Sequence, residues 1–283
     1  MQNHFKKFVI VLALMFFVVP AISSAHQPQV VSNSTNITVS DPEVSKAYYA
    51  QLDGKPHTYN ITSSAPFELY VNVLVPDIQG QKTDVTAKIM RDQEIVATLG
   101  GTTALWEKYF EPFGYDHYFQ GSEYKKEAQA GTYTITVSSP NNDSKYSLAI
   151  GEKEVFNFSE SYRAVMVMPE LKRSFFQESP ATFLLSPFGA GYVAILFALA
   201  FIFGFVYRVV LKRIAKTKNR KRTKNIGRGD KLVRVAIGIV LFILACTTSW
   251  NPLLFFFSGF AFFEAIFSWC GVYAAFGKNT CPL

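Results

Sequence analysis

The densest group of chemically capable side chains lies in one segment, residues 106–124, where aromatic residues alternate with acids. An aromatic platform flanked by carboxylates could stack a sugar ring or a peptide. The carboxylates could instead hold calcium, which takes about six to eight oxygen ligands. The alternative is that the rings cap one end of a folded domain and the acids are solvated. The candidate ligand-binding residues are Trp106, Glu107, Glu111, Tyr115, Asp116, His117 and Tyr118.

A second group lies near the C-terminus, where Cys270 and Cys281 follow Glu264. Two thiols at a membrane edge could bind a soft metal or form a redox pair, with a dimer supplying further ligands. Alternatively, the thiols are reduced packing residues. We expect Glu264 to face a partner helix or to be protonated, because a lone carboxylate in lipid is costly, and its role can be functional or structural. Both interpretations stay open, and Cys270 and Cys281 are the candidate metal ligands.

Recognised catalytic motifs are absent from the chain. It lacks the Gly-Xaa-Ser-Xaa-Gly elbow, the His-Glu-Xaa-Xaa-His zinc motif and the phosphate-binding loop. We therefore expect no enzyme and no cofactor, with calcium kept as the one alternative. A third cysteine, Cys246, also lies outside residues 26–186, so no disulfide-stapled domain is expected there.

The charge is distributed unevenly along the chain. The formal net charge is +7, yet residues 26–186 contain 13 basic and 19 acidic residues. Residues 212–234 contain 11 basic residues and one acid. This pattern indicates a mildly acidic domain joined to a short basic loop. The expected partner of that loop is anionic lipid, and no nucleic-acid partner is expected.

The first 25 residues have the pattern of a signal peptide. Lys6 and Lys7 precede an apolar run over residues 8–19, and the small residues Ser23 and Ala25 occupy the positions a signal peptidase reads. The run is short for a membrane span, so we predict cleavage after Ala25 rather than an uncleaved anchor.

A series of short β-strand patterns follows a polar lead-in at residues 26–39, which we predict to be flexible. About seven strands with turn residues between them predict an all-β, jelly-roll-like sandwich over residues 40–155. Residues 106–124 are expected to be a long loop or two excursions at one end of it. The predicted strands cover residues 47–52, 57–62, 66–75, 84–90, 94–99, 131–138 and 146–151.

The last of these strands, GTYTITVSS and SKYSLAIG, resemble the end of the jelly-roll-like accessory domains of many secreted prokaryotic proteins. That resemblance implies a jelly-roll-like fold and a domain that binds or spaces rather than catalyses. Five Asn-Xaa-Ser/Thr sequons are consistent with a surface domain if the organism glycosylates asparagine. They begin at Asn33, Asn36, Asn60, Asn142 and Asn157.

The C-terminal third predicts three transmembrane helices. A membrane-proximal stalk at residues 156–187 leads into an apolar run at 188–211, long enough to span ~30 Å of hydrocarbon. A basic loop at 212–232 follows, and the positive-inside rule places it in the cytoplasm. Two further apolar segments, 233–249 and 252–276, predict a helical hairpin whose C-terminus returns to the cytoplasm.

The stretches NIGRGDKLVRVAIGIVLFILA and SGFAFFEAIFSWCGVYAAFGKNTC resemble the YgaP-like two-helix transmembrane domain family. The matching positions are Asn225, Gly227, Asp230, Lys231, Arg234, Gly238, Cys270, Tyr273, Gly277, Thr280 and Cys281. The chain departs from the family pattern at Gly271, where the family usually has proline, and at Lys231, where it usually has arginine. The resemblance implies a small inner-membrane domain at 225–283 that can pair as a homodimer.

Together these patterns predict a protein of a prokaryotic cytoplasmic membrane with its N-terminal domain outside. The predicted function is a membrane-anchored extracytoplasmic binding or interaction protein, whose ligand is a glycan or a protein. The alternative is a membrane thiol or redox, metal-handling or small-solute transport domain with an accessory ectodomain.

Overall fold

The computed structural model describes residues 26–32, 34–155, 157–217 and 224–281. These residues form two compact units, which we call the β unit, residues 26–186, and the helical unit, residues 187–281. The predicted signal peptide, the sequon at Asn33 and the centre of the basic loop lie outside the described residues.

The β unit contains eleven strands, and the alternating patterns of the sequence locate most of them within two residues. They are β1 Gln27–Val30, β2 Asn36–Val39, β3 Lys46–Gln51, β4 His57–Ser63, β5 Phe67–Pro76, β6 Thr86–Arg91, β7 Glu94–Gly100, β8 Glu107–Glu111, β9 Asp116–Ala128, β10 Gly131–Ser138 and β11 Lys145–Ile150.

The strands form two sheets that share one hydrophobic core. The large sheet has the order β1-β3-β11-β5-β9-β8, and the small sheet has the order β2-β4-β10-β6-β7. Alternate residues of the central strands face the partner sheet, as in Leu69, Val71 and Val73 of β5 and Ile135 of β10, and these side chains are fully buried. The predicted β-sandwich architecture is confirmed.

The predicted flexible lead-in contains two strands instead. β1 pairs in parallel with β3 over Gln27↔Lys46 to Val30↔Tyr49, and β2 pairs in parallel with β4. The prediction was wrong because backbone groups at an open sheet edge can pair with a polar segment without help from its side chains.

The predicted stalk is also folded. Asn157 accepts a hydrogen bond from the Glu160 N–H at 2.9 Å and caps the helix α1, Phe158–Glu170. A π-helical turn, Leu171–Phe175, and a 3-10 helix, Pro180–Leu185, follow. The prolines that suggested irregular structure are accommodated, and Pro180 occupies the first turn of its helix, where no N–H is needed.

These helical turns cover the outer face of the large sheet. The ring of Tyr49 on β3 lies 5.1 Å from Phe175 and 6.3 Å from Phe176. Phe176 also packs 5.4 Å from Tyr118 on β9. The prediction of a stalk overlooked this packing, because contacts with a distant strand leave little trace in a short, mixed sequence.

The helical unit consists of α2 Pro187–Thr217, α3 Arg228–Thr247, α4 Pro252–Phe267 and the short α5 Gly271–Phe276. Residues Pro187–Ile214 are long and apolar enough to cross a membrane, whereas Pro252–Phe267 is a shorter apolar helix. The helix predicted over 252–276 is therefore broken. Ser268 adopts a left-handed conformation with φ 53°, which ends α4 before α5 begins.

Candidate functional site

The aromatic and acidic segment 106–124 is a β-hairpin rather than the predicted long loop. β8 pairs with β9 in the register Glu107↔Gln120 to Glu111↔Asp116 at the edge of the large sheet. The Glu111 carboxylate accepts hydrogen bonds from the N–H groups of Phe113 and Gly114, each at 2.7 Å, and this closes the turn. Strand alternation then divides the predicted site residues between two faces.

One face of the hairpin is exposed to solvent. The ring of Phe110 lies 5.2 Å from Tyr115 and 5.0 Å from His117, and all three side chains are exposed. Glu107 is exposed as well, whereas the half-buried Trp106 packs against the core and donates from Nε1 to the Gly101 carbonyl at 3.1 Å. The predicted single aromatic platform is therefore reduced to a small exposed cluster.

The opposite face is buried under the covering helical turns. Asp116 and Tyr118 are each 3% exposed, and the fully buried Lys172 donates from Nζ to Asp116 Oδ1 at 2.5 Å. Glu178 lies 3.6 Å from the same ammonium group. A buried ammonium therefore joins the turn after α1 to the hairpin.

A cavity of about 260 Å³ lies on this outer face of the large sheet. Tyr49 and Tyr118 hydroxyls lie 3.2 Å apart at its wall, and the Tyr70 hydroxyl donates to Glu123 at 3.2 Å. The lining residues are His26, Ser45, Ala47, Tyr49, Tyr70, Asn72, Leu74, Tyr109, Glu111, Tyr118, Gln120, Ser147, Ala149 and Glu152.

Asn72 is the most unusual residue of this wall. It is 2% exposed, and its Oδ1 has no hydrogen-bond partner among the described residues. A buried polar atom without a partner costs about 1–3 kcal/mol, so natural folds rarely keep one. The sequence did carry a signal for it, since Glu68, Tyr70 and Asn72 are the polar alternate positions of β5.

Burial changes the acid–base behaviour of the site. Burial raises the pKa of Glu111 to about 7, although the two backbone N–H groups favour its carboxylate. Burial also raises the pKa of Asp116 to about 6, while the Lys172 ammonium opposes that rise. The pKa values of Tyr49 and Tyr118 are raised well above the ordinary value by burial, so both hydroxyls stay neutral.

The predicted calcium site finds no geometric support. No group of three or more His, Cys, Asp or Glu side chains suited to a metal ion occurs within the described residues. Glu111 and Asp116 are engaged by backbone N–H groups and by Lys172, and Tyr115 and His117 contact Phe110 on the exposed face instead.

The second candidate group lies in the helical unit and is held together by polar contacts. The Asn225 side chain donates to the Cys270 carbonyl and accepts from the Cys270 N–H, both at 2.8 Å. Arg234 pairs with Glu264 and donates from Nη2 to Cys270 Sγ at 3.3 Å. Glu264 thus has a partner on a neighbouring helix, which is one of the two alternatives expected from the sequence.

The C-terminal motif residues join the same network. Thr280 accepts a hydrogen bond from the Gly227 N–H at 3.0 Å and is also bonded to Asp230. Cys281 donates from Sγ to the Ile226 carbonyl at 3.2 Å, and the three cysteines are free thiols. Residues far apart in sequence therefore meet around the segment at Asn225, which precedes α3.

Residues 222–283 match the family model described as "Inner membrane protein YgaP-like, transmembrane domain". The resemblance stated from the sequence is confirmed for this segment. The YgaP-like segment contains the whole polar network around Asn225 and Cys270.

The departure of the YgaP-like segment at Gly271 has a structural explanation. A Cβ atom at Gly271 would lie 1.9 Å from the ring of Tyr207 on α2, so a side chain there would collide with that helix. The glycine therefore accommodates a helix that precedes the YgaP-like segment in this chain.

Comparison with solved structures gives remote likenesses. The pre-peptidase C-terminal domain of a collagenase from Bacillus anthracis aligns at 10% identity and a TM-score of 0.25, over 44% of this chain and 95% of that chain. A β-glucosidase from Paenibacillus barengoltzii aligns at 6% identity and a TM-score of 0.22, over 44% of this chain and 13% of that chain. Comparison with curated proteins gives no match.

Proposed function

We propose that this protein is a membrane-anchored extracytoplasmic binding protein whose ligand occupies the cavity on the outer face of the large sheet. The observation that carries the proposal is the cavity itself, with its tyrosine hydroxyls, the carboxylate of Glu111 and the unpaired Oδ1 of Asn72. A concave site with a few convergent polar groups on a rigid scaffold is the usual form of a small-molecule site.

The membrane anchor is supported by the apolar helix Pro187–Ile214 and by the YgaP-like match. In our proposal α3 and α4 form two further spans, and the basic loop is cytoplasmic. The signal peptide pattern and the positive-inside rule independently favour the β unit outside the cytoplasm.

Reporter fusions test this orientation. A reporter active only in the cytoplasm should work when fused after Arg222 and fail when fused after Gly151. Cytoplasmic activity at Gly151 would contradict the whole topology, including an extracytoplasmic ligand.

Filling the cavity tests the binding site. Ala149 is 1% exposed and lines the cavity, so Ala149→Leu should reduce its volume. The matched control Ala65→Leu adds the same atoms at an exposed turn. A ligand screen on the full-length protein in detergent micelles should yield ligands whose binding is lost in Ala149→Leu and kept in Ala65→Leu. Hits that bind both variants equally would place recognition elsewhere.

The membrane partners follow from the same topology. We propose that the basic loop contacts anionic lipid, at about 1 kcal/mol per lysine or arginine near the surface. We also propose that the membrane helices pair as a homodimer, as the YgaP-like family resemblance implies. Crosslinking in native membranes tests the dimer, and flotation with and without anionic lipid tests the contact.

A membrane thiol function is the second candidate, and the contact of Arg234 with Cys270 favours it. The guanidinium group favours the thiolate, the reactive form, while burial of the sulfur and the neighbouring Glu264 oppose it. Replacing Cys270 and Cys281 by serine should abolish such a function, whereas deleting the β unit should leave it intact. If function is instead kept in the serine variant and lost when the β unit is deleted, the result supports an extracytoplasmic binding protein.

A further inference from the structure

We propose that the ligand of the cavity is a small primary ammonium compound, held by Glu111 and Asn72 among the rings of the wall. This inference rests on the proposed function, because it names the chemistry recognised at the same cavity. It depends on three observations: the charge of the lining, the unpaired acceptor and the aromatic walls.

The described residues that line the cavity include two carboxylates, Glu111 and Glu152, and no lysine or arginine. Glu152 is already paired with Lys125 on the sheet. Burial lowers the pKa of the lining residue His26, so its imidazole stays neutral and adds no positive charge. An anion would therefore meet no basic side chain in this lining, whereas an ammonium ion beside Glu111 would stabilise the carboxylate that burial otherwise disfavours.

The unsatisfied hydrogen-bonding capacity of the wall is also that of an acceptor. Asn72 Oδ1 is unpaired among the described residues, and Glu111 uses two of its roughly four lone-pair positions on backbone N–H groups. A primary ammonium has three N–H donors and no acceptor, so it complements these oxygens.

The aromatic side chains of the cavity are also suited to an ammonium group. Tyr49, Tyr70, Tyr109 and Tyr118 line the cavity, and aromatic rings attract a nearby cation through the negative charge of their faces. The volume of about 260 Å³ lies just below the ~300–1,000 Å³ typical of ligand pockets. The ligand is therefore compact, with an ammonium group and a short carbon chain.

The test is calorimetric titration of the full-length protein in detergent micelles with putrescine. The control compound 1,4-butanediol has the same chain and no charge. Putrescine should bind saturably and butanediol should not. Glu111→Gln, which keeps the side-chain shape, and Asn72→Leu should each weaken binding by at least about tenfold, since a buried charge partner or acceptor is lost.

The control variant is Glu94→Gln, which removes the same charge from an exposed site on the small sheet. Its affinity for putrescine should equal that of the wild type. A melting curve for each variant separates loss of binding from loss of folding. Equal binding of putrescine and butanediol, or unchanged binding in Glu111→Gln, would overturn the ammonium assignment.

Two further arms separate the outcomes. Putrescine is titrated into the protein in phosphatidylcholine nanodiscs with and without phosphatidylethanolamine. If the natural ligand is a lipid headgroup, phosphatidylethanolamine should compete with putrescine and weaken its binding. If the natural ligand is a free amine, putrescine should bind equally in both kinds of nanodisc. If N-acetylglucosamine binds and Ala149→Leu abolishes that binding while putrescine does not bind, the ammonium inference fails and the cavity function stands.

Discussion

The two faces of one hairpin, β8–β9, have opposite characters although they are built from the same nineteen-residue stretch, residues 106–124. On the exposed face, Phe110, Tyr115 and His117 contact each other and solvent. On the buried face, Glu111, Asp116 and Tyr118 meet the cavity or the covering helical turns. Chemistry-bearing residues concentrated in sequence need not form one site, because strand alternation separates neighbours.

The two faces also differ in how their residues affect the stability of the folded state. Asp116 and Glu111 are acids whose pKa values are raised by burial, so their charged forms are disfavoured there. Tyr115 is 39% exposed and contributes mainly local ring contacts. If the buried face is the functional one, substitutions there should affect both stability and binding, whereas substitutions on the exposed face should affect neither strongly.

The largest effect is expected from Lys172→Met on the buried face. Removing the ammonium leaves Asp116 buried without its partner, which should destabilise the β unit by about 3–5 kcal/mol. Chemical denaturation of the full-length protein, followed by the near-ultraviolet signal of the aromatic residues, measures this change. The double variant Lys172→Met with Asp116→Leu should recover most of the loss. A loss below about 1 kcal/mol would contradict a structural role for this ion pair.

Trp106→Ala should have an intermediate effect. The ring is half-buried against the core and its Nε1 hydrogen bond to Gly101 is lost, so we expect about 2–3 kcal/mol of destabilisation. Trp106→Phe serves as a milder control, because it keeps an aromatic ring in the packing while it removes the Nε1 donor and part of the ring. If Trp106→Ala abolished ligand binding without changing the melting temperature, Trp106 would be a contact residue and our placement of it in the core packing would be wrong.

The Glu111 carboxyl should make stability depend on pH. Its pKa is about 7 in the folded protein and near the ordinary 4.5 when unfolded, so the folded state holds the proton more tightly. Its contribution is therefore fully present below about pH 4.5 and declines as pH rises through 7. The decline should be on the order of 1–2 kcal/mol after allowance for screening.

The difference between wild type and Glu111→Gln isolates this contribution. His26 and His57 act in the opposite direction, because burial lowers their pKa values and their neutral forms favour folding as pH rises. Both histidines are present in the two proteins, so their contribution cancels in the difference. Wild type should lose stability relative to Glu111→Gln between pH 4.5 and 7.5. If the difference in unfolding free energy between the two proteins stayed constant over that range, the pKa of Glu111 would not be raised by folding.

The strands could be predicted from the sequence more readily than the cavity and its buried ion pair, because strand patterns are local and the contacts of the site are not. Val71, Val73 and Val75 mark β5 by alternation alone, because strand geometry is local. Lys172 and Asp116 are 56 residues apart, and nothing in either neighbourhood indicates that they meet. Gly271 shows the same limit, since its departure from the family pattern makes sense only once Tyr207 on another helix is seen beside it.

The smallest effect is expected from Tyr115→Ala on the exposed face. Tyr115 has a left-handed backbone conformation with φ 63°, and its ring contacts Phe110 at 5.2 Å while remaining 39% exposed. Losing one exposed ring contact should cost less than about 1 kcal/mol, and Tyr115→Gly should offset part of that cost because glycine tolerates this conformation. Putrescine binding should be unchanged in both variants, as measured by calorimetry beside Glu111→Gln. If Tyr115→Ala abolished binding with the fold intact, the exposed cluster would be the recognition site, and the contrast between the two faces would be reversed.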